Sequence, residues 1–253
     1  MTVRPPPCPE PDAQFLALAD ILPPDVTRSR VEQTRELFLR MEAALQREGM
    51  TFAHVVRTWF HLDSILDWYG EFNAVRSAFF RERDLYRGVV PASTGVGMPN
   101  PAGAAIVGGL LAMKPRSDRV GVTVQPSPLQ GSARDYRSDF SRAVEVRTPA
   151  GRHLYISGTA SIDQQGNSVF LDDVDAQIHW TMTVVHALLE SRSLSWNRNV
   201  THAIAYFPDL KDASRFAAYC QANGLAGPQV PAVQATICRS DLLFEIEVDA
   251  TGK

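Results

Sequence analysis

Between Arg28 and Glu48 the apolar residues Val31, Leu37, Phe38, Met41 and Leu45 recur at helical spacing, and Gly49 follows as a stop. The pattern then changes period. His54 to Leu62 (HVVRTWFHL) reads as a strand and Asp63 as a turn, and SILDWYGEFNAVRSAFF reads as a second helix. A loop leads to VPASTGVGM, rich in small, β-compatible residues.

The second half repeats this order. Gln177 to Glu190 is an amphipathic helix, Asn199 to Phe207 a strand, Asp209 a turn and DASRFAAYCQAN a helix, after which VPAVQATIC takes the place of VPASTGVGM. Asp63 and Asp209 hold equivalent places, as do Pro91-Ala92 and Pro231-Ala232. The second copy has an opening that the first lacks: the strand HLYISGTASID, breaking at Gly158, and a turn at Gln164 to Asn167. The first copy offers only Phe15 to Leu22 behind a run of prolines, so it reads as shortened by most of a β-hairpin. The segment Pro115 to Ser138 is rich in Pro, Gly, Ser and Arg, as connections are. The expected organisation is a proline-rich leader over 1–25, an incomplete lobe over 26–120, a connection over 121–138 and a complete lobe carrying the site over 139–253. The fold class is α+β, each lobe a mixed β-sheet with two helices packed on one face.

Composition narrows the function. A hydrophobic share of 45%, a charged share of 21% and a net charge of −3 describe an ordinary globular protein with no electrostatic footprint for nucleic acid or an anionic membrane. The longest nearly apolar stretch, Ala104 to Met113, is about half of the ~20 residues that a membrane-spanning helix needs. Cys8, Cys220 and Cys238 are odd in number and widely spaced, which fits neither a disulfide framework nor a CxxC metal site and suggests a reducing, cytoplasmic location. The six histidines show no metal-ligand spacing, and no Gly-rich phosphate loop or GxSxG is present. No metal or cofactor is implied.

The second half resembles the Rid/YjgF family in its ordered elements: the Ser-Gly strand at Tyr155 to Gly158, the helix start Ala176-Gln177, the strand before Asp209, Pro231-Ala232 and the terminal strand Phe244 to Glu247. YRSDFSRA (Tyr136 to Ala143), RTWFHLDSI, FNAVRSAFF, PASTGVG and above all ICRSDLLFEIE (Ile237 to Glu247) resemble one branch, the chorismatases, in which two such lobes are fused. That resemblance implies cleavage of chorismate into pyruvate and a ring acid, here 3-hydroxybenzoate, for natural-product biosynthesis. The position after Pro231-Ala232, where Rid imine deaminases carry a carboxylate-binding arginine, holds Val233 and Gln234, which argues against imine hydrolysis.

Alternation along LLFEIE places Leu243, Glu245 and Glu247 on one face and Phe244 and Ile246 on the other, with ICR expected as the adjacent antiparallel strand. On pattern alone Glu245 is either an exposed strand residue or a buried acid whose proton burial retains. The resemblance favours the second, with Glu245 as general acid. Cys238 alone would be a small core residue; in the resemblance it assists a later step on the ring, and Gly158 leaves space at the opposite strand. Arg137 and Arg142 suit a dicarboxylate, because guanidinium holds carboxylate with two parallel hydrogen bonds. Arg239 serves as a third cation or supports its turn, and Tyr155 offers a hydroxyl. The partner expected is a small-molecule carboxylate substrate. An edge left uncovered by the missing hairpin further predicts a homo-oligomer. Two rival readings are a relative acting on another enol ether, enamine or small carboxylic acid, and a non-catalytic ligand-binding or assembly protein.

Overall fold

The computed structural model describes residues 2–4, 11–136 and 138–253, so Cys8 and Arg137 lie outside the described residues. In chain order the first lobe contains β1 (Thr2–Arg4), β2 (Ala13–Ile21), α1 (Arg30–Arg47), β3 (Val55–Leu62), α2 (Ile65–Glu82), β4 (Ala92–Gly97) and β5 (Ile106–Pro115). The second contains β6 (Gly121–Gln125), β7 (Ala143–Thr148), β8 (Gly151–Ala160), α3 (Val174–Glu190), the single turn α4 (Trp196–Asn199), β9 (Val200–Phe207), α5 (Ala213–Ala222), β10 (Ala232–Gln234) and β11 (Glu245–Gly252).

The sheets run β1-β2-β5-β3-β4 and β7-β8-β11-β9-β10, with β6 added outside β7. The repeat read from the sequence is therefore a repeat of topology. β3 and β9 each lead through a helix to a parallel neighbour, β4 or β10, and the returning strand, β5 or β11, inserts antiparallel at the centre. The expected loss of most of a hairpin is corrected. Ala13–Ile21, placed in the leader by the sequence reading, is a full strand paired with β5 from Ala13↔Pro115 to Ile21↔Gly108. β1 pairs with Ala17 to Ala19 on the outer edge of β2, the edge whose exposure motivated the expected self-association. Among the described residues the first lobe shows no counterpart of β6, and its β1 is three residues long. Likewise Gly121–Gln125, within the expected connection, is an edge strand of the second sheet.

Local chemistry explains the elements. α1 opens on a capping box: the Glu32 amide donates to Ser29 Oγ and the Ser29 amide to the Glu32 carboxylate. Its buried stripe is Leu37, Phe38, Met41, Ala44 and Leu45, whereas Val31 is exposed, beyond the sheet's reach. Phe38 stacks on Phe79 of α2 at 4.8 Å and packs on Phe60 of β3, which ties both helices to one face of the first sheet. Each such ring contributes about 1.5–3 kcal/mol through burial. α3 starts at Asp173, whose carboxylate accepts from the Ala176 amide, and buries Ile178, Met182, Val185 and Leu189 against the second sheet.

The helix-free faces of the two sheets pack against each other. Val56, Leu111 and Met113 of one meet Val144, Val146 and Tyr155 of the other. Near one end of this interface the contact becomes polar. Ser157 Oγ accepts from the Ser93 amide and donates to the Ser141 carbonyl, and the Ser141 amide donates to the Pro91 carbonyl. These bonds dock β4 of the first lobe on β8 of the second. Among the described residues no helix is long and apolar enough to cross a membrane.

Candidate active site

Where β4 and β8 meet, a cavity of about 1080 Å³ opens between the lobes. One wall is a face of α2 bearing Tyr69, Asn73, Arg76, Ser77 and Arg81; the other comprises Tyr136, Ser138, Phe140 and Arg142, Gly158, the loop residues Cys238, Arg239 and Leu242, and Glu245. The α2 face follows a local kink. Trp68 has non-helical dihedrals, and its indole N–H donates to the Asp63 carbonyl at 2.8 Å.

Glu245 is the first residue of β11, lying between Ala160 of β8 and Tyr206 of β9, and it is buried. Phe244 and Ile246 face the helices, as alternation requires, and Glu245 faces the other lobe. The expected antiparallel ICR strand is absent. Residues 237–244 form a loop, because the place beside β11 belongs to β9, and β10 pairs in parallel on the far side of β9. Gly158 does not break its strand either. From Thr159 to Ile156, β8 carries one residue more than β11, a bulge at Ser157-Gly158. The carboxyl of Glu245 lies over it: a Cβ on Gly158 would sit 2.1 Å from Glu245 Oε1.

Burial, helped by the neighbouring Glu247, pushes the Glu245 carboxyl up to about 8, so it holds a proton at neutral pH. Cys238 is half-buried on the cavity wall; burial first, then the nearby Glu245, push its thiol up to about 12. It is a thiol, not a thiolate. Burial also raises the phenols of Tyr69 and Tyr136, which remain O–H donors.

Arginines dominate the charge. Arg76, Arg81, Arg134, Arg142 and Arg239 line the cavity among the described residues, against Asp135, Asp139 and Glu245. Asp139 is engaged with Ser77, and Tyr86 adjoins it. Arg142 is 5% exposed and donates through Nε to the Gly131 carbonyl at 3.0 Å, while its Nη2 has no protein partner. Arg76, 2% exposed, donates to Asn73 Oδ1 of its own helix and has an unpartnered Nε. Two desolvated guanidinium groups with no carboxylate partner among the described residues create a strong preference for an anion. Tyr136 is flanked by Arg142 and Arg239, their guanidinium carbons 5.5 and 5.2 Å from its ring centre.

Five residues chosen from sequence meet on this cavity: Glu245, Cys238, Arg142, Gly158 and Arg239. Arg239 also supports a turn, donating to the Gly166 carbonyl at 2.7 Å. Tyr155 is corrected. It packs in the apolar layer between the sheets, its hydroxyl turned toward Arg57 and Asp249 rather than the cavity. Arg137 lies outside the described residues. Sequence reasoning missed Arg76, Tyr69, Asn73 and Tyr136. For Arg76 a signal existed, since a charge on the buried face of an amphipathic helix requires a partner.

Solved structures share the fold. A chorismatase crystal structure superposes with a TM-score of 0.75 and 21% identity, covering 94% of this chain and 75% of that one. The chain has the fold of a chorismatase. Residues 132–252, which hold β7 to β11, match the family model Endoribonuclease L-PSP. Single-lobe structures are also similar. One is a putative endoribonuclease L-PSP from Entamoeba histolytica, at 25% identity over 52% of this chain and 100% of that one, TM-score 0.44. Another is a YjgF/YER057c/UK114 family member from Mycobacterium tuberculosis, at 24% identity over 52% and 100%, TM-score 0.41. No curated protein matches the sequence.

Proposed function

We propose that the chain cleaves chorismate, releasing pyruvate and 3-hydroxybenzoate. The observation that carries this reading is a protonated carboxyl, Glu245, in a cavity whose buried Arg76 and Arg142 have no counter-ion among the described residues. Chorismate carries two carboxylates and an enol ether. The arginines hold the carboxylates, and Glu245 delivers its proton to the terminal methylene of the enol ether. The carbon bearing the ether oxygen becomes electrophilic and is attacked by water or by the ring hydroxyl. Collapse then breaks the bond between the ring and the ether oxygen or between that oxygen and the side chain, and pyruvate leaves. In the hydroxybenzoate route no net water is consumed: the atoms of chorismate equal those of pyruvate plus 3-hydroxybenzoate. Proton transfer of this kind contributes roughly 10²–10⁴-fold to rate. Cys238, beside Glu245 and un-ionised, is suited to hydrogen-bond or pass a proton at the ring, not to act as a nucleophile.

Cavity size supports a second reading within the same chemistry. About 1080 Å³ stands at the upper end of ligand pockets, ~300–1,000 Å³. A bulkier enol ether or enamine bearing a carboxylate would fill it better than chorismate. Incubation of the purified chain with chorismate, followed by assay of pyruvate and separation of ring acids, tests the first reading. Unconsumed chorismate alongside tight binding of larger carboxylates would favour the second.

A further inference from the structure

Glu245, Glu247 and Asp249 occupy alternate positions of β11 and so face the first lobe together, about 7 Å apart along the strand. Opposite them stands one buried cation. Arg57 of β3 is 0% exposed; its Nη2 lies 3.2 Å from Glu247 Oε2 and its Nη1 3.7 Å from Asp249 Oδ1. Its remaining reach goes to the Ile156 carbonyl at 2.7 Å and Thr94 Oγ1 at 3.4 Å. Glu247 is held further by the indole N–H of Trp59, 3.1 Å from both carboxylate oxygens, and Tyr206 of β9 adjoins it. Of the three carboxyls, Glu247 and Asp249 thus share one guanidinium, and Glu245 is left out.

The other groups around Glu245 do not replace that cation. β8 presents Gly158 and Ala160, and β4 presents Thr94, which donates no charge. β9 presents Tyr206, whose phenol burial holds protonated. The loop presents the Cys238 thiol, and His61 of β3 lies toward Glu247 and Asp20. The cavity arginines Arg76, Arg142 and Arg239 make no ion pair with Glu245 among the described residues. Resting on the reaction proposed above, we propose that Glu247 and Arg57 are positioning residues: locked to each other, they deny Glu245 a counter-ion and keep it in the acid form that proton donation requires. Neither touches the reacting atoms. An uncommitted Arg57 would instead draw Glu245 into a salt bridge and strip its proton.

The test is an infrared pH titration of the purified chain, following the protonated carboxyl band that disappears in Glu245→Gln. In the parent its midpoint is expected near pH 8. Glu247→Gln removes the like charge and frees Arg57, and both effects lower the midpoint, by about one pH unit or more. Should that variant fail to fold, Arg57→Met with Glu247→Met and Asp249→Asn removes the charges together, so that none is left buried and unpaired, and the midpoint falls there too because the like charge of Glu247 is gone. Trp59→Phe keeps both charges and leaves the midpoint in place. In an active chain the high-pH limb of kcat follows the titration. An unchanged midpoint in the Glu247 variants overturns the proposal. A shifted midpoint in a chain that never consumes chorismate upholds the charge arrangement and defeats the reaction instead.

Discussion

Glu245 Oε1 occupies the space that a side chain at residue 158 would need, 2.1 Å from where its Cβ would sit. The glycine is required by contact with the carboxyl, not by its own backbone angles. Gly158→Ala should therefore push Glu245 out of line, lowering kcat about 100-fold or more while costing about 1–3 kcal/mol of stability by overpacking. Turnover with chorismate and a thermal melt check both. Parent-like kcat in a folded variant would show that the position of Glu245 is not critical.

Glu245→Gln keeps the size of the side chain and removes its proton. Turnover should fall roughly 10²–10⁴-fold, with substrate binding by calorimetry within a few-fold of the parent. Because the acid form is active, the parent's kcat should decline as pH rises through about 8.

The same carboxyl makes stability pH-dependent. Its folded value, about 8, lies above the ordinary 4.5, so the folded state holds a proton that the unfolded chain releases between those limits. The stabilisation is complete below about pH 4.5 and is lost as pH rises toward 8. Melting temperatures of the parent should drop across that window relative to those of Glu245→Gln. Parallel curves would place the Glu245 proton elsewhere.

Arg76→Met exchanges an unpaired buried charge for an apolar chain of similar length. KM for a carboxylate substrate should rise about 10- to 100-fold, the worth of a charged hydrogen bond, while the melting temperature holds or rises. Steady-state kinetics beside calorimetry separates the two effects.

Cys238→Ala should still release pyruvate from chorismate, because enol-ether protonation needs only Glu245 and bound carboxylates. The ring product should shift from 3-hydroxybenzoate toward the non-aromatic dihydroxy acid, measured by chromatography. A parent-like product ratio at the parent rate would make Cys238 a packing residue.

Local patterning carried much of this structure. Helical spacing located α1, α2, α3 and α5 to within a few residues, and alternation around Glu245 put its carboxyl on the face opposite Phe244 and Ile246. Such periodicities survive because each element buries one face whatever its neighbours are. Strand partners are another matter. Phe15 to Leu22 read as all that was left of a shortened hairpin, yet β2 finds β5 about a hundred residues away, and the loop 237–244 read as part of a hairpin whose place β9 takes. Hydrogen-bond partners across a sheet leave no local signature, because any extended segment can pair with any other of suitable register. The site divides in the same way. Glu245, Cys238, Arg142, Gly158 and Arg239 could be chosen from stretches of sequence. That Arg76 joins them from α2, that Tyr155 turns away, and that Arg57 is paired with Glu247 and Asp249 follow from how two sheets meet face to face, because burial and the choice of counter-ion depend on which surfaces come together in space.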